Sequence, residues 1–232
     1  MRILIVGAGK TGAFLAEKLH ADHHVTVIEQ REDRVEYLRL MAPDVEVIRG
    51  DACEPDVLES AGVDNVDLVA AVTGDDEDNL VVAMLAKLYN AKAVYARVNH
   101  PRNEWLFDKE WGVDVPISSP QVLYGLIEKD LGFGDLITLL KLNAEGIYLE
   151  ELTLPENATK VGKRLQDVGL PSNVNVMAIL AAEGYVQAPR GETPLVAGDQ
   201  LLMLVDGELE ETVIREAFGI PQEPEYPEHP GR

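Results

Sequence analysis

Short apolar runs recur at residues 3–6, 25–28, 45–48, 68–72, 93–98 and 113–117. Between them, apolar positions return at helical spacing, as over 13–19, 34–41 and 80–89. This alternation predicts six buried strands joined by amphipathic helices, which forces a parallel sheet covered on both faces. The expected fold is α/β: a doubly wound, Rossmann-like domain over residues 1–134, with its ligand crevice at the strand ends beside the first turn.

The pattern changes at Gly132-Phe133-Gly134, after an apolar-faced helix around 122–127. Beyond it come short strands at 139–142, 147–154, 175–180, 185–187 and 200–205, a turn at Glu183-Gly184, and helices at 161–168 and 208–218. These predict a second, smaller α+β domain over 135–220, and units of that size commonly gain burial by pairing with a copy of themselves. Residues 221–232 hold four prolines and three glutamates and read as a disordered acidic tail.

Composition narrows the partners. The 232 residues are 46% hydrophobic, enough for real cores, and carry 41 acids against 20 bases, a net charge of -21. No basic stripe exists for counterion release, so neither nucleic acid nor an anionic lipid surface is an expected partner. An anionic nucleotide must bind against this field, but charges beyond roughly 8 Å are largely screened at physiological salt. No apolar stretch approaches the roughly 20 residues that cross a bilayer, and no signal pattern precedes the first strand, so a soluble, cytoplasmic protein without direct membrane insertion is expected. Cys53 is the single cysteine, which rules out an intrachain disulfide.

The best candidate for chemistry is the turn Gly7-Ala8-Gly9-Lys10-Thr11-Gly12, which follows the first apolar run and opens a helical stretch. In a dinucleotide fingerprint of this form, Gly7 permits the tight turn, Gly9 lets a pyrophosphate approach the chain, and Gly12 lets the helix pack on the strand. Phosphates then sit on exposed N–H groups at the positive end of the helix. Glu29, followed by Gln30, ends the second strand about 20 residues further on, where an acid accepts from a ribose diol. The alternative for Glu29 is a solvated acid at a strand end. Its charge favours NAD or an adenosine nucleotide over NADP, although Arg31 and Arg34 lie close by. Lys10 either meets a phosphate or projects as a solvated helix lysine.

Other constellations are weaker. Gly9-Lys10-Thr11 spells the end of a P-loop, but the glycine required five positions earlier is Leu4. The run Asp75-Asp76-Glu77-Asp78 suits a divalent cation or, better, the capping and dipole of a helix start. His20, His23 and His24 are neighbours without a supporting cysteine and read as an exposed loop. No GxSxG elbow and no Cys–His pairing occur, so no catalytic residue and no metal ligand is assigned. Binding without turnover is the expectation, hence not an enzyme.

Further pieces recur in order: Gly50-Asp51-Ala52, Ala71-Val72-Thr73-Gly74-Asp75-Asp76-Glu77, Ala96-Arg97-Val98-Asn99, Pro189-Arg190-Gly191-Glu192-Thr193 and Ala197-Gly198-Asp199-Gln200-Leu201. Together with the glycine turn and Glu29, they make a chain that resembles the peripheral regulatory subunits of Trk and Ktr potassium uptake systems, built from RCK (regulator of potassium conductance) domains. The resemblance covers nearly everything except the tail. It implies that Asp51 and Ala52 border the adenine and that Thr73 and Gly74 close the pocket at the fourth strand. Asp51 alternatively caps the helix that follows it. Arg97, at the end of the fifth strand, either reaches a phosphate or pairs with a nearby acid. Glu29 stands where many relatives carry aspartate, and Ala181-Ala182 where many carry an arginine.

The resemblance further implies NAD(H) as the ligand, with ATP or ADP as the alternative. It implies a gating subunit for a separate membrane potassium-translocating subunit of Trk or Ktr type, held at the inner face of the membrane by that partner. Homodimers joined into a tetrameric or octameric ring are implied as well. The competing functional expectations are an NAD-dependent oxidoreductase with its substrate between the domains, and a stand-alone nucleotide-sensing adaptor.

Overall fold

The computed structural model describes residues 1–130, 136–143, 146–207 and 211–221. Strand β1 (Arg2–Val6) is buried from Ile3 onward. Its side chains alternate between two cores: Ile3 and Ile5 join Ala16, Val25, Val27 and Leu38 on one face, while Leu4 and Val6 join Ile28, Leu58, Val69 and Leu80 on the other. A strand buried on both sides needs helices on both sides. The chain supplies them in α1 (Lys10–Leu19), β2 (His24–Glu29), α2 (Glu32–Met41), β3 (Glu46–Arg49), α3 (Pro55–Ser60), β4 (Leu68–Ala71), α4 (Asp76–Leu88), β5 (Ala93–Arg97), β6 (Val115–Ile117) and α5 (Ser119–Asp130).

The six strands pair in parallel in the order β3-β2-β1-β4-β5-β6. This is the doubly wound, Rossmann-like sheet expected from the strand and helix alternation. Its order places the site. Val6, the last residue of β1, lies opposite Ile28 of β2 and Ala71 of β4. The glycine turn therefore leaves the sheet between two strand ends, at the point where the winding reverses and a crevice opens.

The second part contains β7 (Leu136–Lys141), β8 (Ile147–Thr153), β9 (Val174–Leu180), β10 (Val186–Gln187), β11 (Gln200–Asp206) and α6 (Glu211–Phe218). Its sheet runs β10-β9-β11-β8-β7, with antiparallel pairing in β10–β9, β9–β11 and β11–β8. Leu152, Leu201, Met203 and Val205 form its core with Ile214 and Phe218 of α6. This is the smaller α+β domain. The chain divides into two compact units, one of Met1–Tyr124 with Lys141–Glu145, the other of Gly125–Leu140 with the chain from Gly146 onward. The bend expected at Gly132 to Gly134 and the tail beyond Pro221 lie outside the described residues.

One expected helix does not form. Residues 161–168 contain only a 3-10 turn, Leu165–Asp167. The N–H groups of Gly162, Leu165 and Gln166 donate to the carbonyls of Leu195, Thr193 and Gly191, so they are spent on a distant segment instead of the preceding turn. Gly162 also has φ +80, outside helical geometry. The apolar spacing of Val161, Leu165 and Val168 reflects packing on the core. The strand expected over 113–117 is likewise confined to Val115–Ile117, because the Val113 N–H turns back to the Asp108 carbonyl.

Candidate functional site

A cavity of about 320 Å³ opens at the ends of β1 to β5, with Gly7, Gly9, Glu29, Asp51, Thr73 and Arg97 in its wall. Gly7 has φ +97, and an added Cβ would stand 3.1 Å from Thr73 Cα. Its N–H donates to the Ile28 carbonyl at 2.8 Å, which fixes the turn to β2. At Gly12 an added Cβ would stand 1.8 Å from the Gly7 carbonyl oxygen, so α1 lies against the turn only because no side chain is there.

Gly9 is the N-cap of α1 and borders the cavity, and a Cβ built on it meets nothing within 4 Å. Among the described residues no side chain caps this helix, and its first backbone bond runs from the Ala13 N–H to the Gly9 carbonyl. The N–H groups of the opening turn are thus left without helical partners at the positive end of the dipole, the arrangement that binds phosphate. Lys10 is exposed at the helix start and outside the cavity wall. Ala8 is buried behind the wall.

Glu29 is only 7% exposed, so it is not the solvated acid of the alternative reading. Its Oε2 accepts the Ala8 N–H at 2.7 Å, and its Oε1 accepts the Arg31 N–H at 2.9 Å and Arg31 Nε at 3.4 Å. One carboxylate therefore ties the glycine turn to the end of β2 while lining the cavity. Gln30 donates through Nε2 to Asp51 Oδ2 at 3.3 Å, and Asp51 Oδ1 accepts the Cys53 N–H at 2.9 Å. Asp51 caps the turn before α3 and not α3 itself, whose N-cap Glu54 makes no side-chain bond. Ala52 completes this side of the wall.

The opposite wall is built around a residue that sequence reading passed over. Asn79 is fully buried in α4. Its Oδ1 accepts the Thr73 N–H at 2.9 Å and the Thr73 hydroxyl at 2.8 Å, and its Nδ2 donates to the Arg97 carbonyl at 2.9 Å. Thr73, Gly74 and Arg97 all line the cavity. The Arg97 guanidinium reaches across to Thr11, donating to Oγ1 at 3.4 Å. Among the described residues it forms no ion pair, so the competing assignment to a nearby acid finds no partner.

The acidic run divides its work. Asp75 caps α4, accepting the Glu77 N–H at 3.2 Å. Asp76 is 4% exposed and accepts the Asn99 N–H at 2.6 Å, the His100 N–H at 3.0 Å and Asn103 Nδ2 at 2.9 Å. Burial opposes its charge, but the combined donation from Asn99, Asn103 and His100 prevails and holds the carboxyl below the usual range. Among the described residues no group of three His, Cys, Asp or Glu side chains is arranged to hold a metal.

Asp78 and Cys53 also line the cavity, and neither was singled out from sequence as a site residue. The signal was present for Asp78: it stands four residues before Val82 on α4, and both face the cavity. Cys53 Sγ donates to Asp78 Oδ1 at 3.6 Å. Burial, then the charges of Asp78 and Asp51, push the thiol up to about 12.

Residues 3–119 match the TrkA-N domain family and residues 149–217 the TrkA-C domain family. The Trk system potassium uptake protein TrkA of Mycobacterium tuberculosis is 38% identical over 217 residues, 93% of this chain and 97% of that protein. A TrkA homolog of Archaeoglobus fulgidus is 35% identical over 224 residues, which are 95% of this chain but 50% of that longer protein. Among solved structures, the GsuK channel bound to NAD superposes with a TM-score of 0.56 at 19% identity, over 97% of this chain and 40% of that one, and shares the fold.

Proposed function

The chain belongs to the TrkA-N/TrkA-C family, that of the Trk-system potassium uptake proteins, and from that membership we propose that it is the gating subunit of a potassium uptake system. In this reading it binds NAD(H), or alternatively ATP or ADP, and controls a separate membrane-embedded translocating subunit of Trk or Ktr type. The nucleotide is sensed and left intact.

The observation that carries the proposal is the uncapped start of α1 opening on the same cavity as the Glu29 carboxylate and the Arg97 guanidinium, which forms no ion pair among the described residues. Phosphates sit at Gly7 to Gly12, with Arg97 as the counter-charge. The ribose diol donates to Glu29 beside Gln30, and the base lies between Asp51-Ala52 and the Thr73-Gly74 wall. Lys10 and Thr11 border the phosphates from the first turn of α1.

A bound nucleotide moves an assembly only by preferring one conformation over another. A tenfold preference supplies about 1.4 kcal/mol per site, and a ring of identical subunits adds that bias over its sites. On α5, Leu123, Tyr124, Leu126 and Ile127 are exposed apolar residues that a second copy of the chain covers in the proposed homodimer, which then joins into a tetrameric or octameric ring. No described helix is long and apolar enough to cross a membrane. The protein in this proposal is cytoplasmic and meets the inner face of the membrane through its partner.

Titration calorimetry with NADH, NAD+, ATP and ADP, repeated on Gly9→Asp, tests the reading. Saturable binding by the parent that Gly9→Asp abolishes supports it. No binding by the parent overturns it, and enzyme-like turnover of a metabolite with NAD(H) would favour the oxidoreductase instead.

A further inference from the structure

The cavity wall follows the order of the strands. The glycine turn lies at the end of β1, Glu29 at the end of β2, and the segment from Gly50 to Cys53 just beyond β3. A nucleotide with its phosphates on the turn and its ribose at Glu29 therefore brings its base to Ala52 and Cys53. From α4, Asp78 reaches the same place, with its Oδ1 3.6 Å from Cys53 Sγ. Ile28, Val72 and Val82 supply apolar surface in this wall for the faces of a ring.

The polar groups here are unequal. Asp51 already accepts one donor on each oxygen, from the Cys53 N–H and from Gln30. Asp78 accepts only the Cys53 thiol, a weak donor, and its Oδ2 makes no hydrogen bond among the described residues. The Ala52 N–H donates to nothing among the described residues either. The presence in one cavity lining of an N–H and a carboxylate oxygen that both lack a partner among the described residues matches the edge of adenine, which offers an acceptor at N1 and a donor at its 6-amino group. It opposes hypoxanthine or guanine, which offer a donor at N1 and an acceptor at O6.

We infer that Asp78, held in place by the Cys53 thiol, is the base-selecting residue of this site, accepting the 6-amino group of adenine and turning away 6-oxo purines. The inference rests on the nucleotide reading above. The raised thiol agrees with it: a protonated Cys53 keeps its hydrogen to donate to Asp78 throughout the physiological range. Cys53 is then a positioning residue and not a nucleophile.

The test compares ligands that differ only at the purine 6-position: NAD+ against nicotinamide hypoxanthine dinucleotide, and ADP against IDP, by titration calorimetry on the full chain. The parent is expected to prefer the amino member of the pair that binds by about tenfold or more, the size of one hydrogen bond to a charged group. Asp78→Ala brings that ratio to within about twofold. Cys53→Ser, which still donates, keeps the ratio, and Cys53→Ala lowers it. Should Asp78→Ala lose its fold by circular dichroism, Asp78→Asn keeps the shape and is expected to lower the ratio as well.

Equal affinity of the parent for both members of a pair overturns the inference alone, as does a folded Asp78 variant that keeps the full preference. Absence of binding by every one of the four ligands overturns the nucleotide reading itself.

Discussion

The Glu29 carboxylate accepts the Ala8 N–H at 2.7 Å across 21 residues of sequence. The acid at the end of β2 thus shapes the glycine turn. Glu29→Gln leaves an N–H facing either the Ala8 or the Arg31 N–H, so one buried donor loses its acceptor. We expect a loss of about 1–2 kcal/mol in urea denaturation, and at least about tenfold weaker NADH binding.

Two glycines of the same turn separate folding from binding. Gly12→Ala drives a Cβ into the Gly7 carbonyl, and thermal melting is expected to show a loss of about 2 kcal/mol or more. Gly9→Ala meets open space, and its melting point is expected to stay within a few degrees. The added methyl stands where a pyrophosphate must approach, so calorimetry is expected to show weaker nucleotide binding than for the parent.

Asp76 ties the start of α4 to the loop after β5. Its folded-state carboxyl is held below its ordinary value of 3.8, so the stabilisation is present above that value and lost as pH falls through the folded-state value. Asp76→Asn is expected to cost about 2–3 kcal/mol at pH 7. In denaturant titrations the gap between variant and parent should narrow as the pH is taken below about 4.

Glu150 on β8 behaves in the opposite sense. It is 8% exposed, its Oε2 has no hydrogen-bond partner among the described residues, and burial, then the Glu211 charge, lifts its carboxyl from 4.5 to about 7. The folded state therefore binds more protons than the unfolded chain between those values, and stability declines as pH rises through that window. Glu150→Gln is expected to stabilise the protein at pH 8 by on the order of 2 kcal/mol and to do little at pH 4. A urea midpoint at pH 8 no higher than the parent's would refute this.

The parallel sheet was legible because its strands are short, continuous apolar runs whose alternate residues, such as Leu4 and Ile5, enter two different cores. The glycine turn was legible because Gly7 and Gly12 answer to strictly local sterics. What escaped was long-range. Asp76 reads locally as a helix-start acid, yet its partners lie 23 to 27 positions away. Cys53 and Asp78 meet only once α3 and α4 are both in place. The absent helix over 161–168 failed for a similar reason, its backbone donors being claimed by residues 191–195.

The buried amide of Asn79 fastens the Thr73 backbone to the Arg97 carbonyl. The side of the cavity formed by Thr73 and Arg97 is therefore fixed by the protein's own hydrogen bonds, and a captured molecule need not spend its binding energy on ordering it. Whatever affinity this pocket shows should be largely available for work on the rest of the subunit.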